Sequence, residues 1–125
     1  MNMPKITVYT TQLGKYNGKD LLDITVKSGN KVFAPNWSMV IAHKEGHITD
    51  KEYTGRYMNM MRLSYKLHRA QWDWLMKQKS IALACYCPAD AFCHRHILKN
   101  IIQTICKKRG ITFIDGYAIR TTSRP

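Results

Sequence analysis

The sequence predicts a small three-layer α/β domain with a mainly parallel sheet and a C-terminal βαβ unit. Residues 80–87 (SIALACYC) are apolar on both faces, which is typical of a central strand that is covered on each side. A helix is predicted over residues 91–109, with Gly110 at its C-terminal end, and residues 111–115 (ITFID) form a last strand. Two strands that bracket one helix over about 36 residues predict a parallel pair with a right-handed crossover.

The N-terminal part of the chain begins with strand signals. Residues 5–10 (KITVYT) alternate as a strand does, whereas residues 21–26 fit either a second short strand or a helical turn. A chain of 125 residues is long enough for one core but not for two. We therefore predict one α/β domain over residues 1–120 and a basic C-terminal tail over residues 121–125.

Three helices are predicted between these strands. Asn36 is placed to cap a short helix. Thr49 and Glu52 match a capping box, so a helix begins there and is expected to end near residue 67. Apolar residues at i, i+3 and i+4 predict a further helix over residues 69–78.

The chain is strongly basic. It carries 20 Lys and Arg against 8 Asp and Glu, which gives a formal net charge of +12 and a pI near 9.8. A field of that sign attracts phosphate-bearing molecules. The expected partner is therefore a nucleotide or a nucleic acid.

Membrane and secreted classes are not expected. No apolar run approaches the roughly 20 residues of a membrane-spanning helix, and residues 1–10 lack the apolar core of a signal peptide. The four cysteines all lie between residues 85 and 106, whereas a disulfide framework usually spreads its cysteines along the chain. We therefore expect a cytoplasmic protein with reduced thiols and no membrane contact.

The segment of residues 85–96 (CYCPADAFCHRH) carries the richest chemistry, where a central strand ends and a helix begins. Ligands of open α/β sheets bind at that edge, because helix N-termini point unpaired N–H groups there. Asp90 is a good N-cap, and Arg95 offers a planar donor fork for phosphate or carboxylate. We take Arg95, Cys87, Asp90 and Tyr86 as candidate ligand-binding residues.

Three interpretations of this segment remain open. In the first, Cys93 is a reactive thiolate whose pKa is lowered by the helix N-terminus, by Arg95 and by His94. In the second, a zinc ion is held by Cys85, Cys87, Cys93 and His94, although two cysteines about 6.6 Å apart on one strand are awkward ligands. In the third, these are small buried residues and a capping histidine, His94.

Other titratable residues were weighed for the same crevice. Asp115 is expected at the carboxyl end of the last strand, from which it would reach Cys93 as a base. His43 and His47 are four residues apart, but Gly46 ends the helix between them, so they are interpreted as surface histidines.

The residues Cys87 through Arg95, with Cys93-His94-Arg95 opening a helix, resemble domain-of-unknown-function family 488 (DUF488). Upstream, residues 33–37 and 49–53 look like segments that stand-alone members carry before this signature. The resemblance implies an α/β domain of bacterial or bacteriophage type. It also implies a shared site at Cys93, His94 and Arg95, but it implies no particular reaction.

These observations predict that the chain binds a phosphate-bearing ligand in the crevice formed by residues 85–96. If it is an enzyme, Cys93 is the nucleophile, His94 its partner and Asp115 the base, in a glycosyl or phosphoryl transfer on a nucleotide. No cofactor is expected, apart from the zinc ion of the second interpretation. The alternatives are a non-catalytic binder that sequesters a nucleotide and a zinc-stabilised nucleic-acid-binding module.

Overall fold

The computed structural model describes residues 4–87 and 91–119. The elements are β1 (Lys5–Gln12), β2 (Leu21–Asp23), α1 (Trp37–Lys44), α2 (Asp50–Leu67), α3 (Arg69–Met76), β3 (Ser80–Cys85), α4 (His94–Arg109) and β4 (Thr112–Ile119). The strands form one parallel sheet in the order β2-β3-β1-β4. The α/β class, the parallel sheet and the C-terminal β3-α4-β4 unit are confirmed. Asp90 and the tail over residues 121–125 lie outside the described residues.

The two central strands end side by side. β1 pairs with β3 from Thr7 opposite Ser80 to Gln12 opposite Cys85, so Gln12 and Cys85 mark the carboxyl edge of the sheet. β2 adds to the outer side of β3, which settles residues 21–26 as a short strand followed by a turn. This edge, where a parallel sheet presents its strand ends, is the position that the sequence indicated for a ligand.

One face of the sheet carries the main core. Ile6 and Val8 of β1 and Ile81 and Leu83 of β3 belong to a buried cluster to which all four helices contribute. The opposite face is smaller, and there Tyr16 from the segment between β1 and β2 packs with Ala82 and Ile119. In the described part of the chain, the third layer is therefore a loop rather than a helix.

The helices of the middle of the chain begin where their caps predict. The Asn36 side chain accepts a hydrogen bond from the Met39 N–H at 2.9 Å, which starts α1. Thr49 and Glu52 exchange side-chain and backbone hydrogen bonds of 3.1 and 3.0 Å in a complete capping box. In the described residues no helix has the length and apolar character needed to cross a membrane.

Several predicted boundaries near the candidate site are wrong, including the end of β3, which is at Cys85 rather than at residue 87. α4 begins at His94, with Cys93 as its N-cap, rather than at residue 91. β4 continues to Ile119, because it stays paired with β1 past a register shift between Val8 and Tyr9. Asp115 therefore lies inside β4, opposite Val8, and not at the end of the strand.

A buried hydroxyl joins α2 to the rest of the core. The Ser64 hydroxyl donates to the Val32 carbonyl at 2.6 Å and accepts from the Trp72 indole N–H at 3.0 Å. Trp72 is fully buried, and its ring meets those of Phe33 and Tyr65 edge to face. This one side chain therefore satisfies two polar groups in an otherwise apolar region.

Ser64→Ala is expected to lower the free energy of unfolding by about 1–3 kcal/mol, because it leaves the Trp72 N–H and the Val32 carbonyl buried without this partner. Urea denaturation followed by circular dichroism measures the change. Thr104→Ala is the control, because its hydroxyl is exposed and bonds to the Asn100 carbonyl of its own helix, and its effect should stay within about 0.5 kcal/mol. Equal losses in the two variants would contradict the prediction.

Candidate functional site

A pocket of about 350 Å³ opens at the carboxyl edge of the sheet. Its wall is built from the segment after β2, from α1, from the first turn of α2 and from the connection between β3 and α4. The lining residues are Thr25, Val26, Lys27, Pro35, Trp37, Val40, His43, Lys44, Tyr53, Cys85, Tyr86, Cys87, Phe92, Cys93 and His94. The structure thus brings five of the predicted site residues to one cavity, namely Cys85, Tyr86, Cys87, Cys93 and His94.

Three thiols and one imidazole form a thiol cluster beside this pocket, defined as Cys85, Cys87, Cys93 and His94. The Cys85 and Cys87 Sγ atoms lie 3.9 Å apart, and the Cys93 Sγ lies 3.6 Å from the His94 Nδ1. Cys85, Cys93 and His94 each offer a ligand atom within 4.8 Å of the others. The expected separation of Cys85 and Cys87 along one strand is wrong, because β3 ends at Cys85 and Cys87 lies beyond it.

His94 is held by a buried hydrogen bond. Its Nε2 lies 2.6 Å from the Ile24 carbonyl oxygen, which only accepts, so Nε2 carries the proton. The Nδ1 lone pair then faces the Cys93 sulfur. Burial lowers the pKa of His94, since it disfavours the charged ring. The neutral imidazole packs edge to face on the Tyr57 ring, at a centroid distance of 5.5 Å.

The negative charge of the thiol cluster belongs on Cys87. Hydrogen bonds from the Cys85 thiol, and then from the Cys93 thiol, lower the pKa of Cys87 to about 2, and the positive charge of Arg95 acts in the same direction. The pKa of Cys93 is raised, because its hydrogen bonds to Cys85 and Cys87 and its burial favour the protonated thiol. The expected lowering of the Cys93 pKa is therefore wrong, and Cys87 carries the thiolate.

Arg95 is placed behind the pocket rather than in it. Its side chain is fully buried, and one terminal nitrogen donates to the carbonyl oxygens of Thr11 at 3.2 Å and Cys87 at 2.8 Å. The predicted donor fork for a ligand phosphate thus bonds the backbone at the ends of the central strands. Arg95 is accordingly a positioning residue for Cys87.

Aromatic side chains and cations surround the mouth of the pocket. Trp37 and Tyr86 are 53% and 51% exposed, so two half-exposed aromatic rings line the pocket. Lys27 and Lys44 supply exposed positive charge on the same lining. This combination suits a molecule with a flat apolar part and an anionic part.

His43 is a pocket residue that the sequence did not reveal. It is three-quarters buried, its Nε2 lies 2.6 Å from the Asp50 carboxylate, and its ring packs on those of Tyr53 and Phe92. The prediction of a surface histidine is wrong because Phe92, far along the chain, covers it. The nearby Gly46 predicted only where the helix ends. No signal in the sequence indicates that Phe92 packs on His43.

Asp115 lies away from the pocket. Its carboxylate accepts from the Lys99 ammonium at 2.8 Å and from the Tyr117 N–H at 2.8 Å. Burial raises the pKa of Asp115, but these two hydrogen bonds outweigh it and the pKa falls below its usual value. The carboxylate therefore neither lines the cavity nor has the character of a base for Cys93, in contrast to the sequence-based expectation.

Residues 12–105 match the family model DUF488-N3a, described as the active DUF488-N3 subclade, which covers more than half of the chain. The chain belongs to the DUF488 family. The matched DUF488 segment contains the whole thiol cluster and Arg95, whereas Cys106 and Asp115 lie beyond it. No curated protein and no solved structure matches the chain.

Proposed function

We propose that this DUF488 protein is a thiol-dependent enzyme that transfers a phosphoryl group from a nucleotide. The observation that carries the proposal is the Cys87 thiolate, which lines a pocket large enough for a small ligand and accepts hydrogen bonds from two neighbouring thiols. A thiolate stabilised in this way is charged at neutral pH, as a nucleophile must be. The description of the matched subclade as active agrees with a catalytic role.

The pocket supports a phosphate-bearing substrate with a ring. Lys27 and Lys44 lie on its rim and complement the phosphate, while Trp37 and Tyr86 offer surfaces on which a base stacks. The net charge of +12 draws such anions toward the protein from a distance. A free nucleotide or the end of a nucleic acid strand has this chemistry.

The proposed reaction has two steps. The Cys87 Sγ attacks phosphorus, an S–P bond forms, and the P–O ester bond breaks while the leaving oxygen takes a proton from solvent. Water then attacks phosphorus, the S–P bond breaks, and inorganic phosphate leaves with the thiolate restored. Cys85 and Cys93 hold the thiolate through their S–H groups, and His94 positions Cys93. In this reaction Cys87 replaces Cys93 as nucleophile, and Asp115 has no part.

A cytoplasmic location is part of this proposal. The four cysteines are free thiols in the structure, and the reaction needs three of them reduced. Compartments with a glutathione or thioredoxin system keep such thiols in that state.

Cys87→Ser is expected to lower phosphate release from a panel of nucleoside monophosphates by roughly three orders of magnitude or more, because a serine hydroxyl is not ionised at neutral pH. Phosphate release is measured on the full chain, and acid-quenched protein is weighed for a phosphate adduct. Cys106→Ser is the control, since Cys106 lies in the core away from the pocket. Release that survives Cys87→Ser would contradict the proposal, and nucleotide binding without any release would establish the sequestering binder instead.

A zinc-stabilised nucleic-acid-binding module is the second candidate, and the thiol cluster geometry favours it. Tetrahedral zinc with Zn–S bonds near 2.3 Å places two sulfur ligands about 3.8 Å apart, and the Cys85 and Cys87 Sγ atoms are 3.9 Å apart. The His94 Nδ1 is unprotonated, and the bond from Nε2 to the Ile24 carbonyl is the support that a ligating histidine usually has. Cys93 completes a set of three thiolates and one imidazole.

The zinc candidate predicts about one zinc ion per chain in protein purified without chelators, because four such ligands form a closed structural site. Elemental analysis of the wild type, of Cys93→Ser and of the control Cys106→Ser measures it. Zinc should be lost in Cys93→Ser but kept in Cys106→Ser. The affinity for nucleic acid should fall steeply as the salt concentration rises. A metal-free wild type would exclude this candidate.

A further inference from the structure

We propose that Cys85 and Cys87 form a reversible disulfide when the protein meets a hydroperoxide, which switches the site off and protects Cys87 from irreversible oxidation. This inference rests on the proposed function for the role of Cys87 and on the distance between the two sulfur atoms for the bond itself, but not on the identity of the substrate. Both cysteines are free thiols, and their Sγ atoms already lie 3.9 Å apart. The bond would therefore need a local movement and no rearrangement of the fold.

The backbone around the two cysteines indicates which of their side chains would move to form the disulfide. Cys85 is the last residue of β3, where it is paired with Gln12 of β1, and its carbonyl accepts from the Leu13 N–H at 2.7 Å. Cys87 lies past the strand and is half-buried, with its carbonyl held by Arg95. A disulfide requires the sulfur atoms to approach to about 2.05 Å. The Cys87 side chain supplies that movement, because the Cys85 backbone is fixed in the sheet.

Both Cys85 and Cys87 line the pocket, but Cys85 is only 6% exposed whereas Cys87 is half-buried, so a small oxidant has better access to Cys87. Cys93 is the other thiol nearby, but its sulfur faces the His94 Nδ1 at 3.6 Å, and its backbone is fixed as the N-cap of α4. Cys85 is therefore the thiol that resolves an oxidised Cys87. Its burial keeps it from reacting with the oxidant first.

The chemistry balances with the hydroperoxide as oxidant. The Cys87 thiolate attacks the terminal oxygen, an S–O bond forms, and the O–O bond breaks to release an alkoxide or hydroxide that takes a proton. The Cys85 sulfur then attacks the Cys87 sulfur, the S–S bond forms, and water leaves with the Cys85 proton. Two thiols lose two electrons and the hydroperoxide gains them. A dithiol reductant reverses the disulfide by exchange.

The test treats the full chain with hydrogen peroxide, alkylates the remaining thiols, and maps the products by mass spectrometry. A loss of about 2 Da in a peptide that holds both Cys85 and Cys87, restored by dithiothreitol, is the expected result. In Cys85→Ala, Cys87 should instead gain about 32 Da as sulfinic acid, which dithiothreitol does not reverse. Cys93→Ala and Cys106→Ala are the controls and should still form the disulfide.

A Cys87–Cys93 disulfide in the wild type, or Cys87 oxidation that Cys85→Ala does not change, would overturn the inference. Mapping the wild type requires no variant to fold, so the test stands even if Cys85→Ala is unstable. Its result is separable from the proposed function. A reversible Cys85–Cys87 disulfide in a protein without phosphate release supports this inference while the proposed function fails. Phosphate release without the disulfide supports the proposed function and overturns this inference.

Discussion

The bond from the buried Arg95 guanidinium to the ends of the central strands is the constraint on which the candidate site depends. It joins the Thr11 carbonyl, near the end of β1, to the Cys87 carbonyl, just past β3, at 3.2 and 2.8 Å. A buried cation needs such acceptors, because it has lost its hydration. α4 can therefore start only where its first turn delivers Arg95 to these carbonyls. The same bond holds Cys87 at the edge of the pocket.

Hydrogen bonding decides which side chains of the thiol cluster are charged and which are neutral. The Ile24 carbonyl fixes the proton of His94 on Nε2 and burial keeps the ring neutral, so no imidazolium forms a pair with a thiolate. Cys85 and Cys93 keep their protons and donate them, which leaves Cys87 as the anion. The proposed phosphoryl transfer follows from this division, since it needs a thiolate that faces the pocket. Zinc binding would require Cys85 and Cys93 to lose their protons as well.

The sequence predicted correctly the features that depend on interactions between nearby residues, such as the starts of helices. Asn36 and Thr49 cap their helices within a few residues, so their motifs were sufficient. The carbonyl that receives Arg95 belongs to Thr11, 84 residues away, and no spacing rule reveals such a partner. The length of β4, and with it the position of Asp115, is set by pairing with β1 across the sheet. The sequence therefore predicted the strand–helix junction at which the pocket opens. It did not predict that the lowered thiol pKa belongs to Cys87 or that Arg95 bonds the backbone.

The most direct test of this account is the ultraviolet absorbance of thiolate, near about 240 nm, as a function of pH in the wild type and in Cys87→Ala. A thiolate exists above its pKa. With the pKa of Cys87 near 2, the difference between the two proteins should equal one thiolate and should persist unchanged from neutral pH down to about pH 4. A difference that disappears on acidification with a midpoint near the ordinary thiol value of about 8.5 would contradict the account.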